Sequence, residues 1–362
     1  MKQPALGVTA TLGIILISFL TIFALGPELF MNWASYALMG AIPFAIVVGA
    51  FWQGKEPAAI ANLGQPVRGV AYLVLAALVA AVVSVIHWAT RGGALPGNPI
   101  PMAVMTIITS VVVTFFLVIV WGGWPFSLIR NKLVAGIVVL VGAYVINALI
   151  FQLMNFSFAQ GAPFYSDALE PGGPISAWTV VVVMVTALSV MFLTLHFQGG
   201  KPFTNIKSDP LRGLVWTVAC FVVGYLVFLL GTQVAGMEAP TFMVQVSIPF
   251  LFGSIVMLNM LGGSITAKLS PVVGGIVSVV LAAIVGKLLA LGYSALMPLV
   301  SGAMPAGPEG NFAAELWLAN ALLAVTFPFL AFYGDFFQLW PLAGKKPAEP
   351  AAEPVVSAVE PS

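Results

Sequence analysis

The sequence predicts an all-α polytopic membrane protein of about ten transmembrane helices with a parallel hairpin repeat. Three observations carry that expectation. Charge is nearly absent, ten apolar stretches have spanning length, and the basic residues fall in alternate connections.

Of the 362 residues, 60% are hydrophobic and 7% are charged, with a mean hydropathy of +1.07. A soluble domain carries roughly 25% charged residues. A chain this apolar could not cover its surface in water, whereas a lipid-facing one has no such need. Net charge is +1 and the basic residues are scattered, so nucleic acid is not an expected partner. Cys220 is the single cysteine and reads as a small apolar packing residue.

A helix needs about 20 mostly apolar residues to cross roughly 30 Å of hydrocarbon. Stretches 5–26, 33–52, 69–90, 102–123, 133–156, 176–196, 213–235, 240–262, 272–299 and 314–338 meet that need. They are continuously apolar rather than alternating, which favours helices over a membrane β-barrel. The first follows Lys2 and lacks a small-x-small cleavage site, so it reads as an uncleaved span. Residues 1–344 thus form a single transmembrane domain. Residues 345–362, proline-rich and polar, read as a disordered cytoplasmic tail.

Basic residues set the orientation. Lys2 precedes the first span. Lys55 and Arg68, Arg130 and Lys132, then Lys201, Lys207 and Arg212, then Lys268, then Lys345 and Lys346 follow the even-numbered spans. Eleven of the 13 basic residues therefore share one side, and Arg91 lies opposite. The expected location is a bacterial inner membrane, with the N-terminus and C-terminus cytoplasmic.

The even spans leave the membrane in similar words: FWQGKEP (51–57), WGGWPF (121–126), FQGGKPF (197–203), MLGGSI (260–265) and FFQLWPL (336–342). Odd spans tend to open on Pro-x-x-Gly, and Gln65-Pro-Val-Arg-Gly closely matches Asp209-Pro-Leu-Arg-Gly. Copies of a hairpin run in the same direction, which makes the repeat parallel. The best match relates spans 2–5 to spans 6–9.

Three even spans carry a central Pro-Phe, at Pro43, Pro249 and Pro328. Proline removes a helix hydrogen bond and disturbs the carbonyl four residues back, here those of Met39, Gln245 and Ala324. Interrupted helices in matching repeat positions point to a transport site. Lys287 lies within span 9, beside a small-residue stripe of Gly275, Ser278, Ala282, Gly286 and Ala290. It is expected to face protein, where it would pair with Glu238 or Glu315 or hold an anion. Asn147, Gln245 and Asn320 are further polar residues inside spans. Lys287, Gln245, Asn147, Asn320, Pro43, Pro249 and Pro328 form the expected substrate-binding set.

No catalytic residue, metal site or cofactor is expected, since Walker A, G-x-S-x-G and H-E-x-x-H patterns are all missing from the sequence. These features together point to a secondary transporter or permease for a small solute, an organic anion if Lys287 anchors it. The alternative is a membrane-anchoring subunit of a larger complex, redox or otherwise. A membrane enzyme built on His196 and Asp335 is the weakest reading. The expected partners are the lipid bilayer, a small-molecule solute, and either further copies of the chain or a partner subunit.

Overall fold

The computed structural model describes residues 1–92, 101–160 and 165–344. The expected tail lies outside them, as do parts of the connections 91–101 and 157–175. Ten apolar helices run through the described residues: α1 (Ala5–Leu29), α2 (Tyr36–Phe51), α3 (Val67–Arg91), α4 (Met102–Val120), α5 (Lys132–Phe151), α6 (Ala177–Leu195), α7 (Asp209–Val234), α8 (Ala239–Met260), α9 (Pro271–Ser301) and α10 (Ala313–Phe336). All but α2 are long and apolar enough to cross a membrane, which makes nine.

The shorter α2 has a local cause. Helix α1 contains one non-helical residue, Gly26 (φ 72°, ψ 167°), followed by Pro27. Glycine alone adopts that backbone readily, and the chain reverses there. The Met1 amino group donates to Leu342 O at 2.8 Å, and Gly49 lies against Asp335, both where α10 ends. Phe30 instead meets Trp317 near the start of α10, with ring centroids 5.5 Å apart. The limb returning from Pro27 to Phe51 therefore traverses the same thickness as α1.

Burial sorts the helices into two layers. The odd-numbered helices each bury 28% of their most apolar stretch, whereas α4, α8 and α10 bury at least 72% and α6 buries 56%. Leu12, Leu16, Leu78, Val82, Leu149 and Leu288 point outward from the odd helices. That apolar exterior suits contact with a lipid bilayer.

The even helices form a closed inner ring in chain order. Phe51 of α2 lies against Gly123 at the end of α4. Phe115 of α4 meets Phe192 of α6 at 5.4 Å. Thr186 and Ser247 share a 2.8 Å hydrogen bond between α6 and α8. Phe252 of α8 meets Phe327 of α10 at 6.2 Å, and Phe336 of α10 meets Phe44 of α2 at 6.4 Å.

Each odd helix fills an outer groove between two inner ones. For α3, Tyr36 donates to Ser84 O at 2.6 Å from α2, and Tyr72 stacks on Phe336 of α10 at 5.4 Å. For α5, Asn147 bonds Thr106 O and Thr109 of α4, and Trp52 after α2 donates to Lys132 O at 2.8 Å. For α7, Trp216 donates to Thr194 of α6, and Trp121 after α4 donates to Thr217, each at 3.0 Å. In α9, Gly286 lies against Pro249 O of α8, and His196 after α6 bonds Ser278 at 2.6 Å. In α1, Gln3 donates to Met260 O of α8 at 2.7 Å, and the helix packs along α10.

All five inner helices stop in the same way, with at least two successive residues at positive φ. The pairs are Gln53/Gly54, Gly122/Gly123, Gln198/Gly199, Gly262/Gly263 and Gln338/Leu339. Left-handed residues end a helix and cap its last carbonyls, and glycine takes that shape without Cβ strain. The residue before each pair is Trp52, Trp121, Phe197, Leu261 or Phe337. Trp52 packs on Gly136, Trp121 on Gly213, Phe197 on Gly275 and Phe337 on Gly69, all in the first turns of outer helices. At the fourth exit Met260 O fills this place against Gly7. The five exits thus gather at one end, and every described basic residue except Arg91 and Lys287 flanks that end.

The expected proline interruptions are present. Gly40–Ala41 form a turn before Ile42-Pro43, and π-helical stretches Met243–Ser247 and Asn320–Thr326 precede Ile248-Pro249 and Phe327-Pro328. A π stretch forfeits α-type bonds where the proline ring already prevents one. Pro43 and Pro328 lie at the same distance from their exits, and Pro249 lies three residues further away.

A candidate solute cavity on the ring axis

Five helices sharing one exit geometry place equivalent residues at one height. The residues two positions before Trp52, Trp121, Phe197, Leu261 and Phe337 are Ala50, Ile119, Leu195, Asn259 and Asp335. All five line a cavity of about 480 Å³ on the ring axis. The cavity reaches Gly199 and Leu339, which lie past the helix ends.

At its far end the cavity meets phenylalanines. Phe115 of α4 stacks on Phe327 of α10 at 6.0 Å with a 21° tilt. These helices are not ring neighbours, so the pair crosses the axis and closes it. Phe192 and Phe252 brace the pair from α6 and α8. Beyond the aromatic closure, hydroxyls tie α6 to α8 and α10 to the outer helix α9. Ser189 donates to Ser247 O at 2.9 Å, and Thr326 bonds Tyr293 at 2.6 Å.

The lining is otherwise apolar: Asn259 and Asp335 carry its polar side chains, and Asp335 its charge. The Asp335 carboxylate rests on Gly49, where no Cβ would fit. Among the described residues it has no hydrogen-bond or ion-pair partner. A carboxylate in an apolar chamber is unfavourable unless a positive group or a proton meets it.

The expected binding residues do not converge on this chamber. Lys287 lies on the exposed face of α9 and donates to Gln245 Oε1 at 2.8 Å. It therefore does not face the protein interior as expected, and its long stem reaches a neighbouring amide from the lipid side. The pairing expected with Glu315 does not form: that carboxylate accepts from Thr241 at 3.1 Å and from the Gly307 N–H at 3.1 Å. The stripe beside Lys287 is buried throughout, as expected. Asn147 is fully engaged between α5 and α4, and Asn320 donates to Met31 Sδ at 3.7 Å. Pro43, Pro249 and Pro328 are buried within the inner ring. His196 bonds Ser278 and Ser254 rather than Asp335.

Asp335, Asn259, Phe115, Phe192 and Phe327 line the chamber but stood outside the expected substrate-binding set, Asp335 entering only through the enzyme reading with His196. The signal for the first two was present in the exit motifs. Aligning the five exits puts Asp335 and Asn259 at the same position, two residues earlier. No protein-family model matches the chain, and no curated protein or solved structure matches it either.

Proposed function

We propose that the protein moves a small solute across a membrane, with the axial cavity as its binding chamber. One observation carries this reading: all five inner helices enclose the cavity, which reaches one end of the bundle and is closed toward the other by stacked phenylalanines. A chamber on the axis, accessible from one side, is what alternating access needs in one of its states. The charge in the lining is that of Asp335, which favours a cation over the anion expected from Lys287.

The hairpin repeat belongs to this proposal, as five copies of an outer helix followed by an inner one. The recurring exits support it, and so does the burial register of the outer helices. Counted from Gly7, Gly69, Gly136, Gly213 and Gly275, residues three, seven and eleven positions on are buried in every outer helix.

Uptake into proteoliposomes with a panel of amines, organic acids and inorganic ions tests the function. At least one solute is expected to accumulate. A folded protein that moves none of them, and that purifies with a stoichiometric partner, would favour the anchoring subunit instead.

We place the basic end in the cytoplasm of a bacterial inner membrane, on the distribution of Lys and Arg. Cys220 is buried, so single added cysteines report topology cleanly. Asn205→Cys should react with an impermeant maleimide only after cells are opened, and Glu238→Cys should react in intact cells. The reverse pattern would invert the orientation.

A further inference from the structure

Among the cavities, buried polar clusters and exposed faces of the molecule, the axial chamber combines an unpaired charge with a shaped apolar wall. Among the described residues Asp335 has no hydrogen-bond or ion-pair partner, and Gly49 leaves its carboxylate room against the α2 backbone. Phe115, Phe192 and Phe327 line the same cavity. Ca²⁺ or Mg²⁺ prefers about six oxygen ligands, and the lining side chains that carry oxygen are Asn259 and Asp335 alone. Water-filled space beside so many apolar side chains is also unfavourable. A ligand that satisfies both parts of the wall has one positive charge and an apolar body.

We propose that the chamber binds a lipophilic organic monocation, with its ammonium group on Asp335 and its apolar body against Phe115, Phe192 and Phe327. The charge pair supplies orientation, and the phenylalanine side chains add apolar burial of the ligand's body. The cavity volume of about 480 Å³ lies within the usual range for drug-sized ligands. This inference rests on the reading of the cavity as a solute chamber, but it concerns binding and stands apart from flux.

The test is calorimetric titration of the purified full chain in detergent with benzyltrimethylammonium, and with phenylacetate as an anion of similar shape. Saturable binding of the ammonium and none of phenylacetate is expected. Asp335→Asn keeps the side-chain shape and removes the charge, and should weaken binding by roughly ten- to a hundredfold, the range for a charge-assisted contact. Should Asp335→Asn fail to fold, Ile119→Lys provides a second route. It places an internal ammonium at the same height in the ring and should compete the ligand out.

Equal binding of the ammonium to wild type and to folded Asp335→Asn or Ile119→Lys would overturn the proposal. So would no binding to folded wild type, or binding of phenylacetate as tight as the ammonium. Cation binding without any solute flux would keep this inference and remove the transport reading. Flux of some solute without cation binding would do the opposite.

Discussion

Gly286→Leu is expected to leave no monodisperse protein after detergent extraction. Gly286 sits where α9 touches the backbone of α8, and a Cβ added there would run into the Pro249 carbonyl. One turn away, a Cβ on Gly253 would strike Ala282 O. The two helices thus meet backbone to backbone, the arrangement that small residues permit in membranes. Overpacking a core costs about 1–3 kcal/mol when side chains can move aside. A carbonyl in a helix has no such freedom, so the cost here should exceed that range. Gly224→Leu should behave alike, because Gly224 has the same register in α7 and its added Cβ would lie 2.9 Å from Ala187 Cα. Gly13→Leu and Gly292→Leu face open space and should extract normally. Gel filtration of fluorescent fusions distinguishes the outcomes. Tolerance of leucine at both Gly286 and Gly224 would refute the close helix contacts and the shared register of the repeat.

Trp317→Ala should be the most damaging truncation of a single side chain at the opposite end of the bundle. Trp317 is fully buried, donates to Ser301 Oγ at 2.9 Å and meets the edge of Phe30. It connects the start of α10 to the last residue of α9 and to the limb that leads into α2. Its position is where the chain's final hairpin joins its first, so its loss opens the ring at the seam. Removing a buried tryptophan costs about 3–5 kcal/mol, through lost apolar burial together with the cavity left behind. Trp317→Phe should retain most of the packing and lose the hydrogen bond, about 0.5–1.5 kcal/mol. Thermal unfolding in detergent should rank wild type, then Trp317→Phe, then Trp317→Ala. Leu78→Ala, on the exposed face of α3, should stay near wild type. A Trp317→Ala protein as stable as wild type would show that the seam contributes little.

Much of this architecture was legible in the sequence because its signals are local. A span is read from one continuous apolar run, and an exit from a Gly or Gln beside an aromatic. The proline interruptions were visible for the same reason, since proline removes its own N–H wherever it stands. Lys287 shows the limit of such reading. An ionisable residue beside a small-residue stripe suggested an interior position, yet one helical step of about 100° separates Gly286, pressed on α8, from Lys287, on the exposed face. Asp335 shows the reverse. In the sequence it supported only the weakest reading, an enzyme pair with His196, until the ring put it on the axis.

By itself the sequence determined the polytopic all-α membrane class, nine of its ten expected spans as long apolar helices, the shared side of the basic residues and the form of each helix end. Those properties depend on transfer of short segments from water and on backbone sterics, which act within about twenty residues. The tertiary structure alone decided which helices are inner and which are outer. Hydropathy cannot separate them, because α3 at 2.6 and α4 at 2.7 are equally apolar although one faces outward and the other is buried. In lipid both environments reward the same side chains, so the difference rests on which backbones can approach each other. That choice involves residues far apart in the chain, such as Gly69 with Phe337 or Gly7 with Met260. Closure of those contacts into a ring brings Ala50, Ile119, Leu195, Asn259 and Asp335 together around one cavity.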